Sequence, residues 1–589
     1  MKSNKFKTMI LRFFNSLVKA TKRFPYAIAL AAFAAVVMIV YTHTENSLTQ
    51  IQIEWFQRTA MVLFLGIPLA LSLKMLFELS NIKNALIAVG IRLLGLGMLV
   101  LYLFFGLPEF KSTYIIRYAA FLLFFWGMFL VVPFLKGREQ IEVHTFKVGW
   151  RLLVTAFYCG IIYGGLSGIL FSLKELLDVP IVSEHYQDLL FIIAGVILPA
   201  FFFVGIPGRD DKMPDSHTKF FRILLIYVVM PILTAYTVVL YLYFLRMIIE
   251  QSLPKNIIGN LVLWYSLAGI LILFLSRTET NKSKWAKIFD RWFPRLLFIP
   301  LGMMFTAIFI RVNQYGITEP RYFTIIGGAW AFSMAVYILF TKPEKRRNVI
   351  IPLTAALLAL LTVIGPWSAF SVSKHSQNNR LKALLNQQSE AIQEESVASI
   401  DLSAQNQISS IVLYFDRNHD LDDIKHLDKN SSLEEIEKEL GFELNEWSPE
   451  SYDYVFYNLR ADDYVFALDD YDYLFFAREN KAVIDSRAGK ITIENLYEHD
   501  SNAEHEIVIS LDNQEVFRKD ISYYGEELYS KYQDRDELFA EEMSFVHDLG
   551  DMKIKIIFFH LELDMDIGGG EETKRGVWAD YIVLIDEKS

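Results

Sequence analysis

Long apolar runs separated by short polar connections fill the chain as far as residue 370, and beyond that point apolar residues return only in brief alternating stretches. A helix needs about 20 apolar residues to cross the hydrocarbon core. Backbone polar groups in that core have no water to satisfy them, so helices are the expected spanning elements. Eleven windows meet the requirement: 24–42, 57–79, 84–106, 113–135, 147–172, 186–206, 219–247, 257–276, 293–312, 320–341 and 348–369.

The pattern then changes period. Lys374–Ala398 sets Leu381, Leu384, Leu385 and Ile392 at helical spacing among Gln, Asn and Glu, which predicts an amphipathic helical connector over 371–400. Ser432-Leu433-Glu434-Glu435 has the form of a capping box and predicts a short helix toward Leu440. Asp453-Tyr454-Val455-Phe456, Asp463-Tyr464-Val465-Phe466 and Asp472-Tyr473-Leu474-Phe475 recur with polar breaks between them and predict antiparallel strands over 451–495. Acids alternating outward and aromatics inward explain that repeat without a ligand. Further strands are predicted at Glu506–Leu511, paired across Asp512-Asn513-Gln514 with Glu515–Arg518, at Lys553–Leu563 and at Trp578–Ile585, with a helix over 525–549. The expected fold is an all-α transmembrane bundle of about 11 spans followed by a soluble α+β domain with a mainly antiparallel sheet. The expected division is 1–370 for the bundle, 371–400 for the connector and 401–589 for the acidic domain.

Charge sharpens this division. Residues 1–370 carry Lys+Arg 36 against Asp+Glu 18, and the remainder carries 21 against 49. Short cytoplasmic loops hold an excess of Lys and Arg. With the N-terminus inside, Lys83, then Lys136, Arg138 and Lys147, then Arg209, Lys212 and Lys219, then Arg277 to Arg291, then Lys342 to Arg347 all fall on one face. An odd number of spans then places everything after residue 370 on the outer face of a bacterial cytoplasmic membrane, where a strongly acidic domain is not drawn to anionic lipid. The basic lead before Phe24 resembles a signal peptide, yet the apolar segment is long and ends without a small-residue cleavage site, so an uncleaved first span is expected.

Candidate chemistry is sparse. Cys159 is the single cysteine, which excludes an intrachain disulfide and a cysteine-based metal site. The chain has no P-loop, dinucleotide fingerprint, zinc-peptidase helix or nucleophile elbow. No catalytic residue and no cofactor is therefore expected, and no nucleic-acid partner. Asp416, Asn418 and Asp420 imitate the start of a calcium loop, but Leu421 and Leu427 replace the glycine and glutamate that an EF-hand needs, which leaves a weak surface Ca²⁺ site beside the default of solvated loop acids.

Inside the membrane, Arg92 is the deepest charge, with Lys74 and Glu78 one helical turn apart on the preceding span, and such groups default to function or pairing. Gly160, Gly164 and Gly168 in the fifth span suit close helix packing or a break lining a cavity. On the outer face, Arg311, Tyr315, Glu319 and Arg321 join the ninth and tenth spans, and His375, Gln377 and Arg380 follow the eleventh. An ion-paired membrane edge, with Glu319 held by Arg311 or Arg321, competes there with a ligand site.

The segments Tyr315-Gly316-Ile317-Thr318-Glu319-Pro320-Arg321-Tyr322 and Ser376-Gln377-Asn378-Asn379-Arg380-Leu381, with the run Leu224 to Pro231 and Leu253-Pro254-Lys255, resemble the bacterial membrane proteins grouped as the domain of unknown function 4153 family. The resemblance implies a bacterial cytoplasmic-membrane location and no activity. The leading expectation is an anchor holding an acidic extracytoplasmic domain that meets an envelope protein or cell-wall polymer, with the lipid bilayer as the other partner. The alternatives are a transporter with a substrate path near Arg92 and the glycine-rich fifth span, and a membrane enzyme at the outer interface using His375, Glu319 and Arg321.

Overall fold

The computed structural model describes residues 18, 21–80, 84–208, 218–250, 258–280, 282–393, 402–427, 432–442, 444, 455–459, 471–476, 481–487, 489–496, 506–532, 537–566 and 573–587. Two compact units divide the chain, Met1–Asn445 and Glu446–Ser589.

The first unit is helical. Its helices are α1 (Pro25–Thr44), α2 (Gln50–Ser80), α3 (Ala85–Leu101), α4 (Ser112–Val131), α5 (Ile141–Leu177), α6 (Ser183–Ile192) and α7 (Leu198–Val204). There follow α8 (Lys219–Ile223), α9 (Met230–Glu250), α10 (Ile258–Leu275), α11 (Lys284–Leu296), α12 (Phe298–Tyr315), α13 (Glu319–Phe340), α14 (Ile350–Leu361), α15 (Ala369–Gln393), α16 (Leu402–Asn418) and α17 (Leu433–Leu440). Pro25 and Pro320 sit in first turns, where a missing N–H costs nothing. A π-helical turn at Ile193–Ile197 joins α6 to α7, and another at Leu224–Val229 joins α8 to α9, so each pair forms one continuous span. Among the described residues, ten helices are long and apolar enough to cross a membrane, and Ile350–Leu361 is a shorter apolar helix. The multi-span bundle expected from the sequence is present.

The eleventh window, 348–369, is helical over only its first half because Gly365, at φ +80°, turns the chain before Pro366. It still traverses the bundle. Arg346 donates to the carbonyl of Ile338 at the C-terminal end of α13, whereas Tyr322, in the first turn of the same helix, donates to the carbonyl of Trp367. Residues 346 and 367 therefore lie at opposite ends of α13.

The same reasoning sorts the rest of the unit into two ends. Arg23, Glu78, Glu142, Ile206, Phe274, Asp290 and Asn348 meet at one, called here the Arg23 end. Thr42, Gln187, Lys111, Asp420, Tyr322 and Trp367 lie at the other, the Glu319 end. Two apolar cores fill the span between. One joins Phe24, Leu71, Phe129 and Phe202, and the other joins Val262, Tyr265, Phe293, Leu301 and Ala331.

The connector predicted over 371–400 is α15 as far as Gln393, with Ser373, Gln377, Asn378 and Leu381 buried, and its final residues lie outside the described set. Residues 402–444, expected with the acidic domain from 401 onward, fall in the helical unit. The reason is packing: Leu381 of α15 shares a core with Ile408, Ile411, Val412 and Phe415 of α16, with Ile424 and with Ile436 of α17. Ser432 caps α17 through reciprocal bonds with Glu435, as its capping box predicts.

The second unit is α+β. A six-stranded sheet holds β1 (Val455–Leu459), β2 (Tyr473–Phe476), β7 (Glu537–Leu538), β8 (Ser544–Asp548), β9 (Met552–Asp566) and β10 (Thr573–Glu587) in the order β2-β10-β9-β1-β7, with β8 beside β9. A four-stranded antiparallel sheet holds β3 (Lys481–Asp485), β4 (Lys490–Leu496), β5 (Glu506–Leu511) and β6 (Gln514–Asp520). One core takes Ile491 and Ile507 from the small sheet, Tyr457, Ile554 and Val583 from the large one, and Tyr524 from α18 (Ile521–Lys531).

The hairpin predicted around Asp512 forms with Asp512 and Asn513 alone as its turn, both at positive φ, so Gln514 already pairs with Leu511. The helix predicted over 525–549 is corrected. It ends at Lys531, and Ser544–Asp548 is a strand paired with Lys553–Ile557, because Phe545 faces the aromatic core while Val546 is exposed. Of the three Asp-Tyr repeats, Asp453-Tyr454 and Asp463 to Phe466 lie outside the described residues.

Candidate functional site

At the Glu319 end, Gly316 closes α12 at φ +71°, a conformation that suits glycine, and turns the chain into α13. That turn is stitched to α15. Gln377 donates to the carbonyls of Tyr315 and Ile317 at 3.1 Å each, and the Ile317 amide donates to Ser376 at 2.8 Å. The turn brings three guanidinium groups around one ring: Arg311, Arg321 and Arg380 lie 5.9, 5.6 and 5.5 Å from the centroid of Tyr315. Each spacing is within cation–π range. Arg380 also donates to Gln407 at 2.7 Å, and Arg321 donates to the Gly316 carbonyl at 3.1 Å. Burial, and then the charge of Arg321, push the Arg380 guanidinium below its usual pKa.

Glu319 begins α13 and is buried, its side chain 6% exposed. Neither Arg311 nor Arg321 is its partner among the described residues. Tyr414 donates to its two oxygens at 2.7 and 2.8 Å, and His419 Nε2 lies 2.8 Å from Oε1. A carboxylate only accepts, so the His419 ring proton sits on Nε2. Burial and the adjacent Glu319 charge push the Tyr414 hydroxyl well above the usual tyrosine range. Around this triad, Lys111 donates to the His419 carbonyl at 2.8 Å and to Asp420, Lys374 pairs with Asp423 at 2.9 Å, and Asn378 donates to the Asp423 carbonyl at 3.0 Å. Helices α15 and α16 are thereby fastened over the end of the bundle.

Among the remaining outer candidates, His375 is exposed and meets Asn379 at 3.0 Å, away from Glu319's carboxylate partners. Of the calcium-loop residues, Asp416 is exposed, Asn418 donates to the Tyr414 carbonyl, and Asp420 is held by Lys111. Among the described residues no group of three His, Cys, Asp or Glu side chains is placed to hold a metal ion. Tyr414, His419 and Lys111 were missed from sequence because their partners lie about a hundred residues away or more. His419 was visible only as the fourth residue of the Asp416 run.

At the Arg23 end, Glu78 accepts from Arg23 at 2.9 and 3.1 Å and lies 3.5 Å from Lys74. Arg92 lies over the rings of Tyr26 and Phe77, at 4.6 and 5.2 Å. Arg23, Lys74 and Arg92 line one cleft between α1, α2 and α3. The fifth-span glycines do not join it. Gly160, Gly164, Gly165 and Gly168 lie on the continuous helix α5, and a Cβ at any of them meets nothing within 4 Å. The path expected near both Arg92 and these glycines is thus not assembled among the described residues.

A helical bundle with this many apolar spans is a polytopic membrane protein. The chain matches the family described as Domain of unknown function (DUF4153) over residues 25–401, and it belongs to that family. It is also similar to an uncharacterized protein of Pasteurella multocida (strain Pm70), 24% identical over 274 residues, which is 46% of this chain and 46% of that protein. The chain therefore spans about half the length of the curated relative it matches. No solved structure matches.

Proposed function

We propose that the protein resides in the bacterial cytoplasmic membrane with its Arg23 end in the cytoplasm, and that it binds an anionic envelope ligand, a wall polymer or an acidic partner protein, at its outer face. The observation that carries this reading is the convergence of Arg311, Arg321 and Arg380 on Tyr315. Burial and then the charge of Arg321 lower Arg380, and two guanidinium groups this close favour an anion between them. The orientation is supported by the basic loops, which follow the Arg23 end. The same orientation keeps the unit from 446 onward, with Lys+Arg 14 against Asp+Glu 35, outside the cell.

Two measurements test it. A periplasmic-type reporter fused after Ser589 is expected to be active and a cytosolic one silent, and the reverse overturns the orientation. Purified full-length protein is expected to bind a labelled anionic wall-polymer fragment, and Arg321→Ala with Arg380→Ala to weaken that binding at least about tenfold, the order set by one lost charge-assisted contact. Unchanged binding in the double variant removes the ligand role.

A further inference from the structure

We propose that the cleft between α1, α2 and α3 holds the phosphate headgroup and one acyl chain of an anionic membrane phospholipid. Three cations, Arg23, Lys74 and Arg92, line it, and among the described residues Glu78 is the carboxylate paired with them. Glu78 is shared between Arg23 and Lys74. Arg92 rests on two aromatic rings and has no carboxylate or other hydrogen-bond acceptor among the described residues. The cleft thus carries an excess of positive charge, and basic pockets between membrane helices suit anionic headgroups.

Depth and shape point to a lipid. Arg92 follows the start of α3 at Ala85 by about 10 Å, and Lys74 precedes the end of α2 at Ser80 by a similar rise. Both cations therefore lie where an acyl chain meets its headgroup. Beyond them the walls are apolar, formed by Leu73, Leu96 and Leu99, and the cavity measures about 170 Å³. Glycines let the helices close around this track: a Cβ at Gly66 would press on Leu99 at 2.9 Å, and one at Gly95 on Leu73 at 3.2 Å. Leu93 and Leu96 are 61% and 50% exposed, so the cleft opens sideways toward the bilayer. A small hydrophilic anion would leave that apolar track unfilled.

Native mass spectrometry of the full-length protein in detergent tests the inference, with dioleoylphosphatidylglycerol and dioleoylphosphatidylcholine titrated separately. Phosphatidylglycerol is expected to bind at least about tenfold more tightly than phosphatidylcholine, and Arg92→Gln to remove that advantage. Gly95→Leu, which fills the apolar track and leaves the cations in place, is expected to weaken the same lipid. Equal affinity for the two lipids, or an unchanged preference in both variants, overturns the proposal. Displacement of the lipid by millimolar inorganic phosphate also overturns it, in favour of a free-anion site. If Arg92→Gln fails to fold, Gly95→Leu decides alone.

Discussion

The two ends of the helical unit are closed by different chemistry. At the Arg23 end the interhelical connections clamp themselves. Arg346 grips Asp290 at 2.7 Å with both side chains under a tenth exposed, Asn348 donates to Glu142 and to the Phe274 carbonyl, and Arg277 donates to the Pro343 carbonyl. At the Glu319 end, closure comes from helices that follow the last crossing, and its centre is a carboxylate shared by a hydroxyl and an imidazole. The Arg23 end centres on one buried charge pair, Arg346 with Asp290, whereas the charge pairs of the Glu319 end, Lys111–Asp420 and Lys374–Asp423, are part-exposed. The Glu319 end relies instead on a hydrogen-bonded group that recruits a distant segment.

This contrast predicts unequal penalties. The largest is expected from Arg346→Met, which leaves Asp290 buried and uncompensated and should cost about 3–5 kcal/mol of stability. Unfolding of the purified protein measures it, and a second change, Asp290→Asn, should recover most of the loss. A cost below about 1 kcal/mol, the value of an exposed pair, would erase the distinction between the ends. Glu319→Ala should cost less, about 1–3 kcal/mol for the unsatisfied Tyr414 and His419 groups. Its signature is local: hydrogen exchange should quicken over Leu402–Asn418 and stay unchanged over Lys284–Leu296. Uniform quickening would mean that the outer helices are not held separately.

The mildest effect follows from pH. The Tyr414 hydroxyl is raised in the folded chain, first by burial and then by Glu319. Folding therefore favours its protonated form. Its contribution is fully present below about pH 10, the ordinary tyrosine value, and is lost as pH climbs beyond that toward the raised folded value. Exchange protection over Leu402–Asn418, relative to the intrinsic base-catalysed rate, should fall above that pH in the native chain, and Tyr414→Phe should abolish the fall. The same pH response in Tyr414→Phe would assign it to another group.

Hydropathy made the spans legible because apolar length is a local property, and each described span overlaps a predicted window, although several run past it, as Gln50–Ser80 and Ile141–Leu177 do. The strand at Ser544–Asp548 was read as helix because its pairing with β9 is a tertiary matter that five residues cannot announce. The outer candidates were legible as a group, since Tyr315, Glu319, Arg321, Gln377 and Arg380 fall in two short segments. Glu319's true partners were not, because a distance of 100 residues separates it from His419 and a nearby arginine offers the simpler pairing on paper. Arg92 drew notice as a deep charge. The cleft around it needed three helices in place before the excess of cations could be counted.

Helix α5 has a consequence of its own. Its 37 residues extend about 55 Å, against roughly 30 Å of hydrocarbon, and only 11% of its apolar window is covered by the rest of the chain. Arg151 and Lys174 bracket its charge-free part, about 33 Å long, so the remaining turns reach past the hydrocarbon into the headgroups and water. This rod therefore presents its apolar flank almost wholly to lipid while its charged ends stand clear of the hydrocarbon, so acyl chains rather than neighbouring helices set its surroundings.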